Sequence, residues 1–255
     1  MLRLSGYQVS EELGGDELRV IRRALREADG LRVLIKAPRA ATPGARLLAV
    51  LRREHELLRS SAIVGVPEVL DFDARTGTMV LTDGGGELLS QKLSLGRLPL
   101  EIALEVAIGL ARIVGELHRR RIVIKNLAPQ GILFDSAGNC VQIVDLVLAS
   151  RLAQETRSGT ELAQVFQPWL PYLSPEQTGR MNRAVDYRSD FYSLGAILYQ
   201  MLTGKRPFWS EDPLEIVHWH IARLPPSPSE LEPLVPETVS SVVMRMLHKS
   251  AQRLE

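Results

Sequence analysis

Apolar residues follow two different rhythms along this chain. Within residues 7–36 they come as short runs, Val20-Ile21 and Val33-Leu34-Ile35, set between Gly14-Gly15 and Asp29-Gly30. Runs of that length bounded by glycine and aspartate predict antiparallel strands joined by tight turns. Thr42-Pro43 then predicts an N-cap followed by proline at the first helical position, and 47–59 continues as a charged amphipathic helix. Two more strands are predicted near 67–72 and 78–81. The order β-β-β-α-β-β describes a small sheet with one helix packed against it.

After Gly84-Gly85-Gly86 the spacing turns helical. Val106, Leu110, Ile113, Val114 and Leu117 mark one face of a helix that begins near Pro99, and Leu194, Ile197, Leu198 and Met201 mark another that stops at Gly204. Asp212-Pro213 predicts the start of a third helix, and 236–248 holds a fourth. Between the first two lies a loop-rich region, 121–186, with short strand-like runs at 132–134 and 141–144. The prolines of 225–236 predict a plain connecting loop. No internal repeat is visible. The fold class expected is α+β, with a β-sheet unit over 1–83 and a mainly helical unit over 84–255.

Composition narrows the function classes. Hydrophobic residues make up 45% and charged residues 24%, an ordinary globular balance. The net charge of +1 supplies no field to draw the chain onto nucleic acid or an anionic membrane. A single cysteine, Cys140, can form no intrachain disulfide and offers no metal-ligand spacing, which fits a reducing, cytoplasmic setting. The sequence has no signal-peptide pattern and no uncharged apolar stretch long enough to span a bilayer.

Single residues say little by themselves. Gly14-Gly15 reads more readily as a hairpin turn than as a phosphate cradle, Lys36 as a solvated strand lysine, and Glu54 as an exposed helix charge. Asp145 is more pointed, because it follows the apolar run Ile143-Val144. The order of the motifs changes the weighing: a VLIK strand, a helix glutamate 18 residues on, a loop after a long helix, and then a strand-terminal aspartate. On these residues the chain resembles the eukaryotic-type protein kinase family over nearly its whole length. VLIK (33–36) is similar to the strand whose lysine pairs with nucleotide phosphates, and Glu54 to its helix-borne partner. LHRRRIVIKNLAPQGILFD (117–135) resembles the catalytic loop, IVDLV (143–147) the metal-binding turn, SPE (174–176) the end of the activation segment, and DFYSLG (190–195) the start of the central helix.

SPEQTGRMNRAVDYRSDFYSLG resembles more narrowly the N-terminal kinase-like domain of large bacterial multidomain sensor histidine kinases. That likeness implies a two-lobed kinase fold and a following ATPase, sensory module and histidine kinase as partners within one polypeptide. The chain would then be the first domain of a longer protein, stopping within the last kinase helix. The same resemblance makes Gly14, Lys36, Glu54, Thr82, Gly84 and Asp145 the nucleotide-binding positions, with Asp145 also the metal ligand. It makes Glu176 and Arg253 a structural ion pair, and Asp190 the residue that holds the catalytic-loop backbone.

The departures from the family pattern fall on the chemistry. The catalytic-loop aspartate, lysine and second metal ligand of a kinase correspond to Asn126, Ala128 and Gly131. A carboxamide is no base, alanine carries no charge, and glycine ligates nothing through a side chain. General acid–base help alone is typically worth about 10²–10⁴ in rate. Lys125 stands where the family usually has arginine. In the glycine loop only Gly14 remains; Asp16 would repel phosphates and Arg19 would attract them. Asp145-Leu146-Val147 lacks the turn glycine, so the segment is expected to hold one conformation. Pro168-Trp169 falls on the substrate platform, where an indole would fill space. The expectation is a pseudokinase-type regulatory or scaffolding domain that binds ATP with magnesium weak or dispensable. Two alternatives stay open: a weakly active serine/threonine kinase, and an interaction module in which Lys36 and Glu54 are only an ion pair and no nucleotide binds.

Two histidines and a basic run invite chemistry as well. His218 and His220 lie two apart on a helix and face different ways, and Arg119-Arg120-Arg121 reads as a solvated helix end.

Overall fold

The computed structural model describes residues 6–60, 62–135, 140–151, 167–180 and 184–249. Three strands, β1 (Tyr7–Gly15), β2 (Arg19–Arg26) and β3 (Arg32–Pro38), run antiparallel and are followed by helix α1 (Ala45–Arg59) and strands β4 (Val69–Asp73) and β5 (Thr78–Thr82). They form one five-stranded sheet in the order β1-β2-β3-β5-β4. The apolar runs of β3 and β5, with Val20-Ile21 of β2, are continuous because residues on both sheet faces are buried. Ile21, Leu34, Met79 and Leu81 join the main core, while Val20, Ala24, Val33, Ile35 and Val80 form a smaller cluster on the opposite face. Helix α1 adds Val50, Leu51, Leu57 and Leu58 to the main core.

The cap expected at Thr42-Pro43 is not there. Gly44 occupies the N-cap of α1 and no side chain caps it, so both residues lie ahead of the helix. The helix is held by its packed face instead of by its first turn.

Most of the regular structure in the described residues that follow is helical. Strand β6 (Glu87–Leu88) leads into helix α2 (Leu89–Leu93) and the long helix α3 (Leu100–Arg119). Strands β7 (Ile122–Val123), β8 (Ile132–Asp135), β9 (Cys140–Ile143) and β10 (Ser150–Arg151) follow, then helices α4 (Arg188–Thr203), α5 (Pro213–Ala222), α6 (Pro228–Leu231) and α7 (Glu237–Met246). Strands β6, β8 and β9 make a three-stranded sheet, and β7 pairs with β10. Helix α4 is the buried axis of this unit, enclosed from Ser189 to Leu202. The architecture is α+β, as the periodicity requires. The stretch expected as a plain loop contains α6, because Ser227 and Glu230 form a reciprocal capping box that satisfies its first turn.

One hydrophobic core spans both units: Leu13, Ile21, Leu34, Met79 and Leu81 from the sheet are continuous with Leu88, Leu89, Leu133 and Ile143. No helix among the described residues is long and apolar enough to cross a membrane.

Candidate functional site

Three charged side chains from distant elements meet where the sheet faces the helical unit. Lys36 on β3, Glu54 on α1 and Asp145 just past β9 are all buried. Lys36 Nζ donates to Glu54 Oε1 at 2.5 Å and also to Asp145 Oδ1. Glu54 Oε1 additionally accepts the Leu146 backbone N–H at 2.8 Å. The helix glutamate thus clamps the strand lysine and the turn after Asp145 together.

A fourth charge completes the group. Arg19, the first residue of β2, is 3% exposed. Its guanidinium forks onto Asp145, with Nη1 to Oδ1 at 2.8 Å and Nη2 to Oδ2 at 3.2 Å. Asp16 holds the same guanidinium from behind, accepting from Nη2 at 2.6 Å and Nε at 3.0 Å. The other Asp16 oxygen accepts the backbone N–H groups of Leu18 and Arg19. Trp169 lies beneath, with the Arg19 guanidinium carbon 5.6 Å from its ring centroid. Burial alone would raise the Asp145 carboxyl, but the charges of Arg19 and Lys36 outweigh it and hold the group well below the usual carboxylate range.

The β1–β2 turn that delivers Arg19 is built on glycine. Gly15 has φ 143°, and a side chain there would lie 2.2 Å from the Arg19 carbonyl oxygen. Gly14 packs on Leu88, whose Cδ1 would be 2.8 Å from an added Cβ. Gln91 Nε2 on α2 donates to the Leu13 carbonyl at 3.1 Å, tying β1 to the helical unit. Asp16 and Arg19, expected to act on phosphates with opposite sign, are bonded to each other.

The residues that the motif resemblance matches to a catalytic loop are packed and bonded within the fold. Asn126 is 2% exposed, and its Nδ2 donates to the Asp145 carbonyl at 3.2 Å. Gly131 brings the loop against the same residue: an added Cβ would be 2.9 Å from Asp145 Cβ. Ala128 is buried. Lys125 has φ 69°; its Nζ donates to Ser150 Oγ at 2.7 Å, and its N–H donates to Asp190 Oδ1 at 2.9 Å. Asp190 Oδ2 accepts the Ile124 N–H at 2.9 Å and lies 2.8 Å from His118 Nε2.

The remaining expected residues are placed elsewhere. Thr82 Oγ1 accepts the Glu68 N–H at 2.9 Å, and the Gly84 N–H donates to Gln142 Oε1 at 3.1 Å. Glu176 Oε1 accepts from Ser189 Oγ at 2.7 Å, whereas Arg253 lies outside the described residues. Trp169, expected to cover a substrate platform, turns inward onto Arg19 and is buried. His218 is exposed and His220 buried, so the two diverge as their spacing implies.

ATP with a divalent cation is the group that the resemblance calls for, and these residues do not fit it. Gly15, Asp16, Arg19, Ile21, Lys36, Gln130, Asp145 and Trp169 enclose about 10 Å³, room for about one water molecule. Ligand pockets run to roughly 300–1,000 Å³. Both carboxylate oxygens of Asp145 are bonded to cationic side chains, and Gly131 supplies no second ligand. Among the described residues no three His, Cys, Asp or Glu side chains are gathered to hold a metal ion.

Residues 7–254 match the sequence profile of the protein kinase domain. Serine/threonine-protein kinase PknB of Mycobacterium leprae is 32% identical over 157 residues, covering 62% of this chain and 24% of that protein. The DNA damage-responsive serine/threonine-protein kinase RqkA of Deinococcus radiodurans is 32% identical over 210 residues, covering 79% of this chain and 30% of that protein. The chain therefore spans about a quarter to a third of the length of these curated relatives. With the strand lysine, helix glutamate and turn aspartate brought together in a two-lobed fold, the chain belongs to the protein kinase domain family.

Proposed function

We propose that this chain is a pseudokinase-type regulatory domain of bacterial signalling: it keeps the kinase fold and does not carry out efficient phosphoryl transfer. The observation that carries this reading is Asn126. By the motif resemblance it corresponds to the kinase general base; it is sealed from solvent and uses its amide to hold the Asp145 carbonyl. A group in that state cannot accept a hydroxyl proton. Ala128 and Gly131 remove the cation and metal ligand that a kinase uses beside it. Such a domain acts in the cytoplasm, through its conformation and surface, on downstream ATPase and sensor modules of the same polypeptide or on other signalling proteins.

A second reading, a weakly active serine/threonine kinase, draws on the names of the relatives and on the intact Lys36–Glu54 pair. Transfer of labelled γ-phosphate to the chain itself and to a generic protein substrate, with Mg²⁺ or Mn²⁺, separates the two. The regulatory reading expects no incorporation above that of Lys36→Met. Robust autophosphorylation abolished by Lys36→Met would establish the kinase.

A further inference from the structure

We propose that Arg19 is a built-in cation that occupies the nucleotide–metal site and latches the two lobes shut, so that the wild-type domain binds no nucleotide. Arg19 reaches from the β1–β2 turn across the cleft to Asp145, 126 positions away, and meets it with two nitrogens. A fork on a carboxylate is the geometry at which guanidinium excels, and it fills the coordination that a divalent ion would need. The latch is supported on every side: Asp16 aims the guanidinium, Trp169 closes the space below, and Lys36 takes a share of Asp145 Oδ1.

Charge explains why the plug belongs there. Among the described residues, Asp16, Glu54 and Asp145 bring three negative charges to one buried cluster, and Lys36 supplies one positive charge bonded directly to Glu54 and Asp145. Isolated buried charge is strongly unfavourable. Arg19 reduces the imbalance from two to one without an ion from solution. A nucleotide triphosphate would have to displace the cation and add anionic oxygens to the three carboxylates. Contacts beside the latch tie β1 to the helical unit, because Gly14 rests on Leu88 and Gln91 holds Leu13.

The test is binding of ATP to residues 1–255, with and without Mg²⁺ or Mn²⁺, followed by equilibrium dialysis and by thermal melting. The wild-type chain should show no saturable binding at millimolar nucleotide and no melting shift. Arg19→Ala should gain saturable binding that a divalent cation strengthens, with a melting shift on the order of 5 °C near saturation. If Arg19→Ala does not fold, Arg19→Gln retains much of the volume and two N–H donors without the charge. On that variant Mg²⁺ or Mn²⁺ alone should raise the melting temperature, which it should not do for wild type. Nucleotide binding by the wild-type chain, or a folded charge-free variant blind to both cation and nucleotide, would overturn the latch. Binding without phosphate transfer would remove the latch and leave the functional reading standing.

Discussion

At the scale of single residues, the positions that resemble kinase chemistry are bonded and packed within the fold. Asn126→Asp would restore a kinase-like carboxylate, but that oxygen would face the Asp145 carbonyl that now accepts from Nδ2 at 3.2 Å. Loss of the donor in a buried site should cost about 1–3 kcal/mol, seen as a lower denaturant midpoint at unchanged slope. Phosphate transfer should stay at background, since the metal and phosphoryl contacts would still be missing. Stability at or above wild type together with measurable transfer would refute this account of Asn126. Trp169→Ala empties a buried aromatic site and should destabilise by about 3–5 kcal/mol in the same assay; a change below about 1 kcal/mol would mean that the indole is not packed. The candidates Lys36, Glu54 and Asp145 were legible from residue order alone. The role of Arg19 was not, because nothing local in the sequence reports a partner 126 residues away. The available signal was Asp16 three positions before Arg19 in a turn, a pairing that aims the guanidinium.

At the scale of elements, sequence pattern and structure agree wherever apolar periodicity is strong, and part where a cap or a turn decides. The face of α3 lies where Val106–Leu117 places it, because the helix must bury its apolar stripe, whereas α4 buries Leu194, Ile197, Leu198 and Met201 within a helix enclosed on nearly every side. Helix α6 was hidden by its prolines, although Ser227 and Glu230 carry the S-x-x-E signature that makes it. Ser227→Ala should cost about 1 kcal/mol through loss of that box, measured by denaturant unfolding; no change would mean that packing alone holds α6. The catalytic-loop turn offers a sharper case. Gly131→Asn would supply a side chain of the kind a second metal ligand needs, yet its Cβ would lie 2.9 Å from Asp145 Cβ. It should destabilise by about 1–3 kcal/mol without creating a metal site. A stable variant whose melting temperature rises with Mg²⁺ would show that the turn can open.

At the scale of the whole molecule, ionisable groups shut away from water tie stability to pH. Burial pushes His220 down to about 3, with the nearby Lys249 charge acting in the same direction, and its Nδ1 lies 2.8 Å from the Tyr192 hydroxyl. A folded-state value below the unfolded one means that the unfolded chain takes up the proton first. The stabilisation is therefore complete above about pH 6.5 and is lost as pH falls from there toward 3, by at most about 1.4 kcal/mol per pH unit for this one group. Asp145 also has a depressed value, so its contribution is complete above about pH 4 and declines at more acidic pH. Urea unfolding between pH 7 and 4 should show the first decline in wild type and a shallower one in His220→Leu. Equal slopes would mean that His220 is protonated in the folded state.

Arg19 and Asp145 join the sheet and the helical unit as one charged pair. A double-mutant cycle of Arg19→Met and Asp145→Asn in the unfolding free energy isolates their pairing, because each substitution removes one half of the fork, and the Lys36–Asp145 contact that Asp145→Asn also weakens is subtracted by the cycle. The expected result is a coupling energy of about 1–3 kcal/mol, with each single variant costing more than its share because it leaves the opposite charge buried with fewer partners. Additivity within about 0.5 kcal/mol would contradict the account, for it would mean that the two side chains do not hold each other across the cleft.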